Sequence, residues 1–146
     1  MYYRLSDDIA LRTWQFVPHA YYTKTETEAV NIRDEEFEFL LKCDGKHDLL
    51  EDDMAKMFIN VGVIEPCNKG DRLSKWSAYK KYPHRYFPRM NLMVNGKCNY
   101  NCLHCFNAKD SSPLTSEWSW DDLKSLICQA EDAGIHAFTL TGGEPM

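Results

Sequence analysis

Three of the six cysteines lie within eight residues of one another, and this cluster constrains the chain more than any other feature. Cys98, Cys102 and Cys105 have the spacing C-x3-C-x2-C. Closely spaced thiolates are typical ligands of iron–sulfur clusters and of zinc, whereas the disulfides of a small secreted protein would be spread along the chain. Three cysteines can hold three corners of a four-iron cluster and leave the fourth iron open. A structural zinc site would need a fourth ligand, such as His84 or His136.

The composition is that of a soluble globular protein, with 44% hydrophobic and 27% charged residues. No apolar run approaches the roughly 18 residues that span a bilayer. The first residues also lack the basic start and apolar core of a signal peptide. We therefore expect a cytoplasmic protein that makes no membrane contact.

The net charge of −5 is unevenly distributed. Residues 1–70 carry 14 acids and 8 bases, residues 71–97 one acid and seven bases, and residues 98–146 seven acids and two bases. Basic residues between acidic flanks indicate a change of organisation near the middle of the chain. The overall acidity argues against a nucleic-acid partner.

Residues 1–67 predict a small α+β domain. Alternating apolar and polar residues predict strands, and apolar residues at helical spacing predict two helices. Asp34 is suited to cap the first helix, and Asp44 with Gly45 predicts a turn after it. We predict strands at residues 11–17, 20–24 and 29–33, followed by a helix at 34–42. A turn at 44–45, a second helix at 48–60 and a short return strand at 63–64 complete the prediction.

Residues 68–89 predict a connector, since Lys69-Gly70, Pro83 and Pro88 interrupt regular structure. Its aromatic residues supply much apolar surface, so we expect it to pack against the rest of the protein.

The pattern of residues 90–146 predicts a strand at 90–94, then the cysteine loop. A helix at 120–133 and a second strand at 137–140 follow. Ser119 is suited to cap the helix. Parallel strands joined by a helix predict the start of an α/β barrel or open sheet with its site at the carboxyl ends of the strands. The cysteine loop follows the first of these strands.

A second motif, Thr141-Gly142-Gly143-Glu144-Pro145, follows the other strand. Glycines let the backbone approach a ligand closely, and a glutamate supplies charge for an ammonium group. In order and separation the two motifs resemble those of the radical S-adenosylmethionine superfamily. The resemblance covers about 50 residues and implies a partial (βα) barrel.

The resemblance also implies roles for individual residues. The three cysteines would ligate a [4Fe–4S] cluster whose open iron binds S-adenosylmethionine. His104 would lie against the adenine, and Gly142, Gly143 and Glu144 would hold the methionyl amino group. An electron from a donor such as flavodoxin or ferredoxin would release a 5′-deoxyadenosyl radical that abstracts hydrogen from the substrate. No residue of this chain is assigned as catalytic.

The first domain resembles the small winged-helix-like, peptide-binding (PqqD-like) domain related to the pyrroloquinoline quinone chaperone. The resemblance implies a maturase of ribosomally made peptides that recognises the leader of a precursor peptide. The leader would add as a strand beside a helix. The candidate peptide-binding residues are Ala29, Val30, Asn31, Ile32, Arg33, Met57 and Phe58.

Three functions remain open from the sequence. The first is a radical peptide maturase, the second a radical enzyme acting on RNA or a small metabolite, and the third a leader-binding module without catalysis. The later barrel strands of the family would lie beyond Met146, so we expect no turnover from the 146 residues alone. We expect Cys43, Cys67 and Cys128 to be structural.

Overall fold

The computed structural model describes residues 1–100, 102–105, 118–135 and 137–143. It divides into two compact units, Met1–Tyr86 and Phe87–Met146. The first unit contains β1 (Tyr2–Leu5), β2 (Ile9–Gln15), β3 (Val17–Thr23), β4 (Val30–Asn31), α1 (Asp34–Lys42), β5 (Asp44–Asp48), α2 (Asp53–Asn60), β6 (Ile64–Cys67) and β7 (Lys80–Arg85). The second contains β8 (Met90–Asn95), α3 (Trp120–Asp132) and β9 (Phe138–Gly142).

The first unit is built on two sheets. One has the strand order β5-β1-β6 and the other β4-β3-β2-β7. All neighbours are antiparallel except β2 and β7, which run parallel. The described residues of this unit thus form both helices and sheets, and the α+β class stays a prediction. The winged-helix-like arrangement and the partial barrel remain predictions.

Local chemistry explains where the helices begin. The prediction that Asp34 caps α1 is wrong, because Asp34 is the first helical residue and Arg33 is the N-cap, whose backbone N–H donates to the Glu36 carboxylate at 2.8 Å. The prediction that the second helix begins at residue 48 is wrong. α2 begins only after Asp52, whose carboxylate accepts from the Ala55 backbone N–H at 2.9 Å, because this N-cap fixes the first turn.

The turn predicted at residues 44–45 is instead the start of β5. Gly45 has a positive φ of 77°, as a turn residue would, but it sits in a strand against the backbone of Asp71. A Cβ at this position would overlap the Asp71 carbonyl oxygen. Glycine is therefore needed here for close backbone approach as well as for its conformation.

The predicted connector packs into the first unit. β7 joins the sheet beside β2, and Trp14 stacks on Tyr82 with ring centroids 5.7 Å apart. The buried guanidinium of Arg12 donates to the carbonyls of Trp76 and Ala78 at 2.7 and 2.8 Å. These contacts confirm the expectation that residues 68–89 pack against the protein.

In the second unit, β8 and β9 are parallel neighbours. α3 lies between them in sequence and begins at the predicted cap, since Ser119 Oγ accepts from the Asp122 backbone N–H at 3.1 Å. Parallel pairing brings the carboxyl ends of both strands to one edge of the sheet. Within the described residues, no helix is both long enough and apolar enough to span a bilayer.

Candidate functional site

The cysteine loop leaves the carboxyl end of β8. Cys98 is half-buried, and its sulfur accepts from the backbone N–H of Tyr100 at 3.4 Å. A metal-bound cysteine sulfur can keep such a hydrogen bond from a backbone N–H as an outer-shell contact. The loop therefore presents one sulfur with a supporting donor already in place.

Cys102 and Cys105 flank a tight turn. The backbone N–H of Cys105 donates to the Cys102 carbonyl at 3.3 Å, which keeps the two residues close in space. Both cysteines are exposed, as are Leu103 and His104 at the centre of the turn. The structure thus leaves the His104 ring, predicted to meet an adenine, open to solvent.

The glycine pair at the end of β9 lies directly against the start of the cysteine loop. The backbone N–H of Gly143 donates to the Asn95 carbonyl at 3.1 Å. A Cβ on Gly143 would overlap the Lys97 carbonyl and lie 2.8 Å from the Cys98 Cβ. A Cβ on Gly142 would overlap the Asn95 carbonyl, and Gly142 has a φ of 149°. The structure therefore brings the cysteine motif, which ends at Cys105, together with the motif that begins at Thr141.

A recess of about 460 Å³ adjoins this edge and was not predicted. Asn91, Met93, Thr139 and Thr141 line it. They occupy alternate positions of β8 and β9, so they share one face of the sheet. Three polar residues at alternating positions of the two strands, Asn91, Thr139 and Thr141, were the signal that could have identified this face.

The three sulfurs are not gathered around one centre. Among the residues that the structure describes, no three His, Cys, Asp or Glu side chains converge closely enough to hold a metal ion. The chemistry of the donors nevertheless fits a thiolate-ligated cluster, because three accessible thiols share one loop. Glu144, predicted to hold an amino group, lies outside the described residues, as does His136.

The other cysteines differ from those of the loop. Burial raises the pKa of Cys43 to about 12, and burial also raises the pKa of Cys67. Cys43 is fully buried, as expected of a structural cysteine. Cys128 is exposed on α3, which does not fit the structural role expected of it.

The predicted peptide-binding residues fall at one edge of a sheet and on α2. Val30 and Asn31 form β4, an exposed edge strand that pairs with β3. Ala29 and Ile32 beside it pack towards the two hydrophobic cores, and the exposed side chain of Arg33 pairs with Glu36. On α2, Met57 is 40% exposed, whereas Phe58 is buried and stacks on Phe39. Phe58 is therefore a core residue and does not line a surface groove.

A protein family with a known cofactor type matches most of the second unit. The family described as 4Fe-4S single cluster domain matches residues 88–146. An S-adenosylmethionine-dependent nucleotide dehydratase from a Thermoplasmatales archaeon is 33% identical over 61 residues, which are 42% of this chain and 21% of the relative. A probable GTP 3′,8-cyclase from Methanothermobacter thermautotrophicus is 35% identical over 57 residues, 39% of this chain and 18% of that protein.

A third relative, an AdoMet-dependent heme synthase from Methanosarcina barkeri, is 39% identical over 49 residues, 34% of this chain and 14% of that protein. The matched stretches thus cover about a fifth or less of these relatives. No solved structure matches the chain. Together with the two motifs, these matches support the radical S-adenosylmethionine superfamily, with a [4Fe–4S] cluster and S-adenosylmethionine as cofactors.

Proposed function

We propose that this chain is part of a radical S-adenosylmethionine enzyme that modifies a ribosomally made precursor peptide. The observation that carries the cofactor part is the close approach of Gly142 and Gly143 to the backbone that leads into Cys98. This contact joins the cysteine loop to the glycine motif at one edge of the β8–β9 sheet.

The chain's own residues have separate tasks in this proposal. Cys98, Cys102 and Cys105 hold the cluster through their sulfurs, and the Tyr100 N–H supports one of the thiolates. When bound, the cluster and S-adenosylmethionine supply a reductive cleavage that yields a carbon radical able to abstract hydrogen. Gly143 contributes by having no side chain, which lets the strand end lie against the loop. An electron donor such as flavodoxin or ferredoxin is the proposed source of reducing equivalents.

The peptide part of the proposal rests on the first unit. β4 is exposed at the edge of a four-stranded sheet, next to the amino end of α1. An extended peptide can add to such an edge through backbone hydrogen bonds. We place the leader of the precursor peptide at β4; Met57 on α2 is an exposed apolar residue of the predicted set.

A nucleotide is the second candidate substrate. Two of the three relatives have names that refer to nucleotides, a nucleotide dehydratase and a GTP cyclase. Their similarity spans 61 and 57 residues, which are 42% and 39% of this chain.

Iron and sulfide content after anaerobic reconstitution tests the cluster site. We expect one four-iron cluster per chain in the wild type and loss of most iron in Cys98→Ser, Cys102→Ser or Cys105→Ser. Cys128→Ser is the matched control, because this thiol is also exposed and lies in the same unit. Equal loss of iron in Cys128→Ser, or one zinc ion per chain in place of iron in the wild type, would contradict the proposal.

Binding experiments separate the two substrate classes. The full chain is titrated with synthetic peptides translated from short reading frames beside its gene, and in parallel with GTP. Peptide binding that shifts the amide resonances of Val30 and Asn31 supports the maturase. GTP binding to the second unit, without any peptide binding, would favour the nucleotide enzyme.

A further inference from the structure

Three of the four sheet edges in the first unit are protected against strand addition. β5 is covered by the loop at residues 68–71, where the Gly70 N–H donates to the Gly45 carbonyl at 2.8 Å. β6 contains Pro66 and β7 contains Pro83, and a proline has no N–H to donate. Proteins commonly protect edge strands in these ways.

β7 is protected by charge as well. Lys81, Pro83 and Arg85 alternate along the strand and are all exposed. Lysine and proline on an edge strand discourage pairing with another chain. β7 is therefore a poor acceptor for an extended peptide even though it is longer than β4.

β4 has neither lysine nor proline. Val30 is 42% exposed, Asn31 is exposed, and the strand pairs only with β3 within the described residues. The only feature of β4 that limits strand addition is its short length of two residues. Of the four edges, it is the one left open to an added strand.

The surroundings of β4 carry an excess of negative charge. Six carboxylates lie between positions 26 and 38, against the single cation Arg33. Arg33 is bound to Glu36 at 2.8 Å, and nearby Lys24 pairs with Asp8 at 3.6 Å. The cations on either side of β4 are thus already matched.

Four glutamates near β4 remain without a cation in the part of the chain that the structure describes. They are exposed and form no ion pair with any described residue: Glu26, Glu28, Glu35 and Glu38. Two of them precede the strand and two lie on the helix that follows it. A bound segment would therefore meet unmatched carboxylates at both ends of β4.

We propose that the β4 edge binds an extended peptide segment with lysine or arginine on both sides of a short β-branched stretch. The inference rests on the proposed function, because it specifies the peptide that the first unit holds. Two paired residues supply few backbone hydrogen bonds, so charge complementarity has to supply much of the selectivity. The partner is therefore a basic leader segment.

Two synthetic peptides of equal length test this proposal on the full chain. Both have the same central run of valine and threonine, flanked by lysines in one and by glutamates in the other. Affinity is measured by fluorescence anisotropy at low and high salt, and the site by amide resonances. We expect the lysine peptide alone to bind, to shift Val30 and Asn31, and to weaken with added salt.

Variants at exposed positions give the test its control. Glu28→Gln and Glu35→Gln should each weaken binding of the lysine peptide about two- to fivefold, the range for one solvent-exposed charge pair. Glu51→Gln removes the same charge from the segment before α2 and should leave the affinity unchanged. Asn31→Glu should tighten binding, and Asn31→Lys should weaken it.

Two results would overturn the proposal in different ways. Equal binding of the glutamate peptide at low salt would refute the basic partner while leaving the edge as a peptide site. No shift of Val30 or Asn31 with either peptide would refute the edge itself, and with it the peptide part of the proposed function. Neither result bears on the cluster site, because that site is tested separately by the iron content after reconstitution.

Discussion

Replacement of Gly143 by alanine tests the contact between the two motifs. The added Cβ would overlap the Lys97 carbonyl oxygen and lie 2.8 Å from the Cys98 Cβ. Real Cβ atoms do not approach so closely, and the first obstacle is backbone, which cannot rotate aside. Gly143 is not among the residues with positive φ, so alanine adds no left-handed backbone strain there and the clash is the main effect.

The cost of this clash is about 1–3 kcal/mol, the range for inserting one methyl group into a packed region. The strand end and the loop must move apart, and this displaces Cys98 and breaks the hydrogen bond from Gly143 to Asn95. We therefore expect Gly143→Ala to lose most of its iron after reconstitution. The amide resonances of the first unit should stay unchanged, which would show that the protein is folded.

Gly62→Ala is the matched control. Gly62 has a φ of 73° and open space around its Cα, so alanine there costs about 1–2 kcal/mol of backbone strain but touches nothing. This variant should reconstitute as the wild type does. A Gly143→Ala variant with full iron content and an unchanged spectrum would refute the reasoning that the close approach is needed.

Three further predictions concern single side chains. Arg12→Lys should lower the free energy of unfolding by about 1–3 kcal/mol in urea, because lysine cannot reach the carbonyls of both Trp76 and Ala78; an unchanged midpoint would refute this. Hydrogen bonds from Arg33 lower the pKa of Glu36 in the folded protein. The Arg33–Glu36 pair therefore stabilises the fold fully above the unfolded-state pKa of about 4.3. This stabilisation is lost as pH falls through the lower folded-state pKa. Glu36→Gln should therefore cost about 0.5–1 kcal/mol at pH 7 after solvent screening, and progressively less in acid, whereas a constant difference in acid unfolding curves would contradict the assignment. Iodoacetamide should label exposed Cys102 rapidly and leave Cys43, with its pKa of about 12, unmodified until the protein unfolds. Mass spectrometry follows the labelling, and early modification of Cys43 would contradict this prediction.

The elements that the sequence predicted correctly are those with a local cause. Ser119 caps α3 as predicted, because a helix start depends on the residues next to it. α1 does span residues 34–42, but its N-cap is Arg33 and not the predicted Asp34. The paired strands of the second unit followed from short apolar runs joined by one helix. The approach of Gly143 to the cysteine loop agrees with the order of the two motifs.

The elements that the sequence missed have distant partners. β1 is short, and its partners β5 and β6 begin about 40 and 60 residues later in the chain. No local sequence pattern therefore predicts this strand. β7 was hidden by Pro83, which is compatible with a strand only at a sheet edge. Gly45 resembled a turn because its second role, close approach to Asp71, depends on a loop far along the chain.

Electron paramagnetic resonance of the reconstituted, reduced chain tests the central claim, that Cys98, Cys102 and Cys105 hold a cluster with one open iron. Spectra are recorded with and without S-adenosylmethionine under anaerobic conditions. We predict a four-iron signal that changes when the cofactor is added, because the cofactor binds the iron that no cysteine occupies. A four-iron signal that the cofactor leaves unchanged, or one zinc ion per chain and no cluster, would contradict the account.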